Sequence, residues 1–134
     1  MFQLHPRLDG DTVTIATLEL SRVLLMNDRR FPWIILVPER LDVSEIHDLG
    51  GDDRVLLIDE IARVSNALTG LFKPRKINVG ALGNIVPQLH IHVVARSPGD
   101  AAWPGPVWGC GEAVVYGDDA LTEMVGRIGG ALKP

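Results

Sequence analysis

The sequence predicts an α+β fold built on an antiparallel β-sheet, with one long helix and a C-terminal helix. Apolar residues recur at three- and four-residue steps over 54–71, which is the spacing of an amphipathic helix. Short runs rich in Val, Ile and Leu lie on both sides of this helix, and turn residues separate them. Strands grouped before and after one long helix favour an antiparallel sheet over a parallel one.

The first half of the chain supplies the strands that precede the long helix. Residues 13–26 are rich in Val, Ile, Thr and Leu and predict one or two strands. NDRRFP predicts a turn, and WIILVP (33–38) predicts a strand buried on both faces and close enough to pair with 13–26 as an antiparallel hairpin. We expect Ser44 to cap a short helix that ends at Gly50 and Gly51.

The second half continues with two strands, a loop and a helix. KINVGAL (76–82) and QLHIHVVAR (88–96) predict strands. The Gly- and Pro-rich segment 97–119 predicts an ordered loop with a short strand at AVVY (113–116). Residues 119–132 predict an amphipathic helix that begins at an aspartate cap.

Composition limits the class of protein. A chain of 134 residues suits a single domain (1–134), and a net charge of −4 argues against nucleic acid as a partner. Cys110 is the one cysteine, so no internal disulfide can form, and we expect it in the core. Residues 1–10 do not resemble a signal peptide, and no apolar run is long enough to span a bilayer. We therefore expect a cytoplasmic protein without a membrane partner.

The segment PQLHIHVV carries the candidate chemistry. Alternate residues of a strand share one face, so Gln88, His90 and His92 should form a row while the apolar residues between them face the core. This row has three interpretations: a solvated strand face, a metal site, or nucleophilic catalysis at phosphorus. A metal needs a third ligand, and neither His5, His47 nor a carboxylate lies at a recognisable spacing.

These residues resemble the histidine triad family, whose motif is His-φ-His-φ-His-φ-φ with φ apolar. Gln88-Leu89-His90-Ile91-His92-Val93-Val94 matches it with glutamine at the first histidine. Arg96, Gly99 and Asp100 match the R…GD that often follows in nucleotide-hydrolase members, and LLMNDRRFPWIILVP resembles the region upstream. The resemblance covers about residues 15–100. Trp33, which we expect to pack in the core, stands where several relatives carry another site histidine.

The resemblance implies a role for each residue of the site. His90 would be the nucleophile, attacking an α-phosphorus to form a nucleotidyl-histidine, and His92 would donate a hydrogen bond to a non-bridging oxygen. Gln88 can orient groups but cannot shuttle a proton at neutral pH. Asn27, Asn84 and, more weakly, Asn78 would contact the ribose or phosphate. From the residues alone, the first two are equally good turn residues, and the third is equally a solvent-facing strand residue.

The same resemblance implies substrates and partners. Dinucleoside polyphosphates and nucleoside phosphoramidates are the expected substrate classes, and a homodimer is the expected assembly. The protein needs no metal of its own, whereas Mg²⁺ would accompany a polyphosphate substrate. The alternative function is a nucleotide-binding module that Gln88 leaves weakly active or inactive. A metalloprotein is a third class, which elemental analysis would identify.

Overall fold

The computed structural model, which describes residues 1–133, contains a five-stranded antiparallel sheet with the order β1-β2-β3-β5-β4. The strands are β1 (Thr12–Thr17), β2 (Ser21–Met26), β3 (Trp33–Pro38), β4 (Lys76–Gly80) and β5 (Ile91–Arg96). The helices are α1 (Pro6–Asp11), α2 (Gly51–Phe72) and α3 (Asp118–Ala131), with a 3₁₀ turn at Ile46–Asp48. The predicted fold class is confirmed.

The sheet is apolar on both faces. One face packs against α2 and α3 through a cluster that includes Ile34 and Leu36 of β3. The opposite face forms a second cluster, to which β3 contributes Trp33, Ile35 and Val37. Because the side chains of a strand alternate between faces, β3 supplies both clusters and is buried along its whole length. The predictions of a strand buried on both sides and of its antiparallel hairpin with the run 13–26 are confirmed, and β2 is the part of that run which pairs with β3.

Several predicted boundaries in the second half were wrong. The strand expected over 88–96 begins at Ile91, since the backbone N–H of Leu89 donates to Val43 outside the sheet. No strand forms at 113–116, because this backbone binds the β2–β3 connection: Arg29 donates to the Val114 carbonyl. The strand expected over 76–82 ends at Gly80, where pairing with β5 stops at His92.

Three predictions about helix ends and burial were also wrong. Glu45, not Ser44, caps the 3₁₀ turn and forms a capping box with Asp48. Gly117, and not an aspartate, is the N-cap of α3. Asp118 and Asp119 lie in the first turn, where their negative charges interact favourably with the helix dipole. Cys110 is only partly buried, in the loop after β5, and does not belong to either apolar cluster.

The N-terminal helix α1 was not predicted from the sequence. It is about one and a half turns long, with His5 as its N-cap and Pro6 as its first helical residue. Among residues 1–133, no helix combines the length and apolar character needed to cross a bilayer.

Candidate functional site

A pocket of about 560 Å³ opens on the face of the sheet opposite α2. Segments distant in sequence build its walls: α1, the β2–β3 connection, residues 82–86, and the loop over 107–115. His90 and His92 both line it, together with the buried Trp33 and Ile35 of β3. The fold therefore places the two predicted catalytic histidines side by side in one concave, partly apolar site.

His90 is buried and has one defined hydrogen-bond partner. Its Nδ1 lies 2.8 Å from the backbone carbonyl oxygen of Gln88. A carbonyl oxygen can only accept, so Nδ1 carries the proton of the neutral ring. The Nε2 atom is left with a free lone pair, which is the state that a nucleophilic imidazole requires.

His92 is held in the opposite tautomer. Its Nδ1 lies 3.0 Å from Nε1 of Trp33, and both side chains are buried. Indole can only donate, so Nδ1 of His92 accepts and the proton of the neutral ring sits on Nε2. Burial lowers the pKa of His92 to about 4, and the neighbouring His90 adds to this effect. At neutral pH His92 is therefore an uncharged hydrogen-bond donor.

Trp108 encloses His92 from another side. The two rings meet edge to face with centroids 5.3 Å apart, as do those of His90 and His92 at 5.0 Å. Space for the indole comes from Gly80 at the end of β4, where an added Cβ would lie 2.9 Å from the Trp108 ring. Trp108 thereby lines the pocket beside the two histidines.

Gln88 does not line this pocket. Its Oε1 accepts from the backbone N–H of His5 at 2.9 Å, and its Nε2 donates to the carbonyl of Gln3 at 2.8 Å. These two bonds fasten the N-terminal segment to the start of the histidine strand. Gln88 and His90 also line a neighbouring cavity of about 200 Å³, which contains His47. The side chain of Gln88 thus has a structural function that the sequence did not indicate.

The three predicted asparagines are not brought together. Asn27 and Asn84 line the pocket, and Oδ1 of Asn27 accepts from the backbone N–H of Tyr116 at 2.9 Å. Asn78 is not among the residues that line it. Its Oδ1 accepts from Nη1 of Arg96 at 2.9 Å, which gives Asn78 a structural role in β4.

Sequence reasoning missed an ion pair in the pocket wall. Asp28 is buried and binds Nε and Nη2 of Arg30 at 3.0 and 2.8 Å, while Nη1 of Arg30 donates to the carbonyl of Cys110 at 2.6 Å. Burial alone would raise the pKa of Asp28, but hydrogen bonds from Arg30 and Val114 lower it on balance. The pair joins the β2–β3 connection to the loop over 107–115. In the sequence, this ion pair was indicated by nothing more than the position of Asp28 in a predicted turn.

The R…GD residues form the base of the same loop. Nε and Nη2 of Arg96 bind both carboxylate oxygens of Asp100, and the guanidinium lies over the rings of Phe31 and Trp103. Asp100 also accepts from the backbone N–H groups of Ser97, Ala102 and Trp103. The hydrogen bonds from Arg96 are the main reason that the pKa of Asp100 falls to about 2.

Comparison with known proteins agrees with this architecture. The family model for the HIT domain matches residues 7–99. The chain belongs to the histidine triad (HIT) family. Members of this family bind nucleotides and are generally nucleotide hydrolases or transferases. The chain has no match among curated proteins.

Three solved HIT proteins resemble this one over nearly the whole chain. A histidine triad protein of Bradyrhizobium japonicum is 43% identical with a TM-score of 0.96, and the match covers 98% of each chain. One from Sinorhizobium meliloti 1021 is 47% identical with a TM-score of 0.93, covering 95% of this chain and 94% of that one. One from Marinobacter aquaeolei VT8 is 43% identical with a TM-score of 0.96, and the match covers 98% of this chain and 96% of that one.

The ligand-forming side chains around His90 and His92 bear on the metal-site alternative. Within residues 1–133, no three His, Cys, Asp or Glu side chains are grouped so that they could hold a metal ion. His5 and His47, the candidates for a third ligand, do not join His90 and His92 in such a group. His5 instead accepts a hydrogen bond from the backbone N–H of Arg7 through Nδ1, at 3.1 Å, as the cap of α1.

Proposed function

We propose that this HIT protein is a nucleotide hydrolase or nucleotidyl transferase that acts at the α-phosphate through a nucleotidyl-histidine on His90. The observation that carries the proposal is the hydrogen bond from Nδ1 of His90 to the Gln88 carbonyl. This bond fixes the tautomer with a free lone pair on Nε2. It also grows stronger as the ring becomes positively charged during attack, because charge-assisted hydrogen bonds are stronger than neutral ones.

The proposed reaction has two steps. In the first, the Nε2 lone pair of His90 forms a bond to the α-phosphorus as the bond from phosphorus to the leaving group breaks. In the second, the oxygen of water, or of another acceptor, attacks phosphorus. The N–P bond then breaks, its electron pair returns to Nε2, and the proton lost by the attacking oxygen passes to solvent. Splitting the displacement in this way replaces one difficult step with two easier ones.

Other pocket residues complete the proposed site. The Nε2–H of His92 donates to a non-bridging oxygen, an interaction that strengthens as negative charge develops there. Asn27 and Asn84 line the same pocket and are proposed to contact the ribose or phosphate. The apolar wall, which includes Leu82 and Ile85, is the proposed surface for the base. Asn78 is left out, since its amide oxygen is bound to Arg96.

The proposed substrate classes and assembly rest on the family resemblance. Dinucleoside polyphosphates and nucleoside phosphoramidates are the substrates to test first, with Mg²⁺ supplied alongside the polyphosphates. A homodimer in the cytoplasm is the assembly and location that we propose. Sedimentation of the purified protein would measure the assembly directly.

Trapping the intermediate tests the proposal. The protein is mixed with diadenosine tetraphosphate or an adenosine phosphoramidate and quenched in alkali, because the N–P bond is acid-labile. With diadenosine tetraphosphate, mass spectrometry should locate one nucleotidyl group on His90. His90→Ala should lose the adduct and lower turnover by several orders of magnitude, whereas His47→Ala is the control because its side chain is 84% exposed. Nucleotide binding without product from either substrate, unchanged in His90→Ala, would contradict the proposal.

A nucleotide-binding module with little turnover is the second candidate function. The observation in its favour is the pair of hydrogen bonds that engage the Gln88 side chain with the N-terminal segment. Calorimetric titration with AMP, combined with the adduct measurement, separates the two functions. A binding module would show saturable binding and no adduct.

A further inference from the structure

We propose that this site cleaves only substrates whose leaving group departs without taking up a proton, so that phosphoric anhydrides are its substrates and phosphoramidates are not. This inference rests on the proposed function of His90. It arises from the hydrogen bonds around the three-residue row, which leave no pocket residue within 1–133 able to deliver a proton to the departing atom at neutral pH.

Gln88 cannot supply the proton. A carboxamide does not ionise at neutral pH, and here both of its ends are engaged, Oε1 by the N–H of His5 and Nε2 by the carbonyl of Gln3. Turning Gln88 toward a substrate would break both bonds and free the N-terminal segment from the histidine strand. The first position of the row therefore serves to attach that segment and takes no part in proton transfer.

His92 cannot supply the proton because of Trp33. A histidine acts as an acid at neutral pH when it is an imidazolium, with protons on both nitrogens. Protonating Nδ1 of His92 would place its N–H against the N–H of Trp33, which now lies 3.0 Å away as a donor. Both rings are buried, so the clash could not be relieved by water. Trp33 thus keeps His92 a neutral donor.

The remaining ionisable groups in the pocket are unsuited to the task. His90 commits its Nδ1 proton to the Gln88 carbonyl and uses Nε2 as the nucleophile. Asp28 and Arg30 neutralise each other, while Arg7 and Asp11 form an exposed pair at 3.8 Å. Carboxyl groups are ordinarily ionised at neutral pH, and guanidinium groups hold their protons. His47 lines the neighbouring cavity and its side chain is 84% exposed, so His47→Ala serves as a control.

The chemical consequence depends on the leaving atom. When the bond from phosphorus to an anhydride oxygen breaks, the electron pair stays on a phosphate oxygen, which is stable as an anion. When the bond from phosphorus to an amine nitrogen breaks, the nitrogen must first gain a proton, because an amide anion is too basic to depart. A positioned general acid is typically worth on the order of 10²–10⁴-fold in rate. Because this site has no general acid, release of an amine lacks this acceleration.

A leaving-group series tests the inference. Adenosine 5′-aryl phosphates with phenols of graded acidity, and one adenosine 5′-phosphoramidate of an alkyl amine, are mixed with the wild-type protein. The burst of leaving group in the first turnover is timed. We expect the burst rate to fall steadily as the phenol becomes less acidic, and the amine to leave slowest. Release of the amine as fast as of the most acidic phenol would overturn the inference.

Two variants at Gln88 test whether the absence of a proton donor causes the slow release of the amine. Gln88→His and Gln88→Met both lose the hydrogen bonds to the N-terminal segment, but only the histidine adds an acid. We expect Gln88→His to release the amine up to ~10²–10⁴-fold faster than Gln88→Met and to flatten the dependence on phenol acidity. Gln88→Met should keep the steep wild-type dependence. Equal amine release by the two variants would count against the inference.

The controls distinguish this inference from the proposed function. His47→Ala should leave the leaving-group dependence of the wild type unchanged, and a steeper dependence would identify His47 as the acid and refute the inference. An adduct on His90 that forms equally fast from every substrate would uphold the proposed function and refute only the leaving-group rule. Failure of every substrate to form the adduct would refute both.

Discussion

The hydrogen bond between Trp33 and His92 shows how one residue can fix the proton of its neighbour. A histidine at position 33, which the family resemblance would imply, could both donate and accept. An indole can only donate. The 3.0 Å bond therefore commits His92 to a single neutral tautomer. Trp33 acts through His92 as a positioning residue and has no direct role in the proposed reaction.

An NMR titration of the His92 ring tests this role. Burial lowers the pKa of His92 to about 4. In Trp33→Phe the ring packing is largely kept but the donor is lost, so we expect the pKa of His92 to rise. Trp108→Phe is the matched control, because Trp108 contacts His92 edge to face at 5.3 Å without a hydrogen bond to it. An equal rise in both variants would show that packing, and not the donor, controls the proton.

The same residue predicts a pH dependence of stability. The pKa of His92 is about 4 in the folded protein against 6.5 as its ordinary value, so the unfolded chain binds the proton first as pH falls. Stability should therefore be fully retained above pH ~6.5 and decline toward pH ~4, by up to ~3 kcal/mol. Urea unfolding at a series of pH values measures this slope, which His92→Gln should reduce. An unchanged slope in that variant would assign the dependence to other groups.

At the scale of elements, a buried ion pair holds the base of the loop after β5. Arg96 is 2% exposed and Asp100 11%, and Asp100 also binds three backbone N–H groups of the loop. This loop leads to Val107 and Trp108, which line the pocket. The pair therefore supports a wall of the site from outside it.

Asp100→Asn tests this support. Removing one partner leaves a buried guanidinium uncompensated, which typically costs ~3–5 kcal/mol, so the free energy of unfolding should fall by about that amount. Asp53→Asn is the matched control, since Arg40 binds Asp53 with the same two-nitrogen geometry but is 42% exposed. The control should lose less than ~1 kcal/mol. Urea unfolding measures both, and equal losses would show that burial of the Arg96 pair is unimportant.

Some helices and strands were predictable from the spacing of apolar residues, whereas the start of β5 depends on a hydrogen bond to a distant segment. The spacing of apolar residues predicted α2, and the apolar run of WIILVP predicted β3. Both signals are periodicities of one element, which a sequence displays directly. The start of β5 was not predictable in this way. Leu89 belongs to an apolar pattern typical of a strand. Its backbone N–H, however, donates to the carbonyl of Val43, which is distant in sequence and outside the sheet.

At the scale of the whole molecule, the pocket exists only because separate segments meet. α1, the β2–β3 connection, residues 82–86 and the loop over 107–115 each contribute a wall. The Asp28–Arg30 pair and Asn27 hold the last of these against the β2–β3 connection. A ligand that fills the pocket contacts several of these segments at once, so binding should stabilise them together.

Ligand-linked hydrogen exchange tests this coupling. AMP at 100 times its Kd should add ~2.7 kcal/mol to the free energy of unfolding. Protection should increase in residues 26–30, 82–86 and 107–115 and remain unchanged on the solvent-exposed side of α2. Adenosine, which lacks the phosphate, is the control and should protect these segments less at the same concentration. Protection confined to α2 or α3 would place the ligand elsewhere.

The sequence by itself determined the fold class, the order of the sheet strands and the two long helices, and the pairing of His90 with His92. These features depend on periodicity and on a local motif, and residues close in sequence carry both. It also placed Asn27 and Asn84 in the segments that became pocket walls.

Only the tertiary structure decided what each polar group binds. In the folded protein the Gln88 side chain is hydrogen-bonded to the N-terminal segment, Asn78 to Arg96, and Nδ1 of His92 to Trp33. Each of these bonds joins residues that are far apart along the chain or on neighbouring strands. A hydrogen bond depends on distance and direction to within a fraction of an ångström, and one sequence does not specify these before the chain folds.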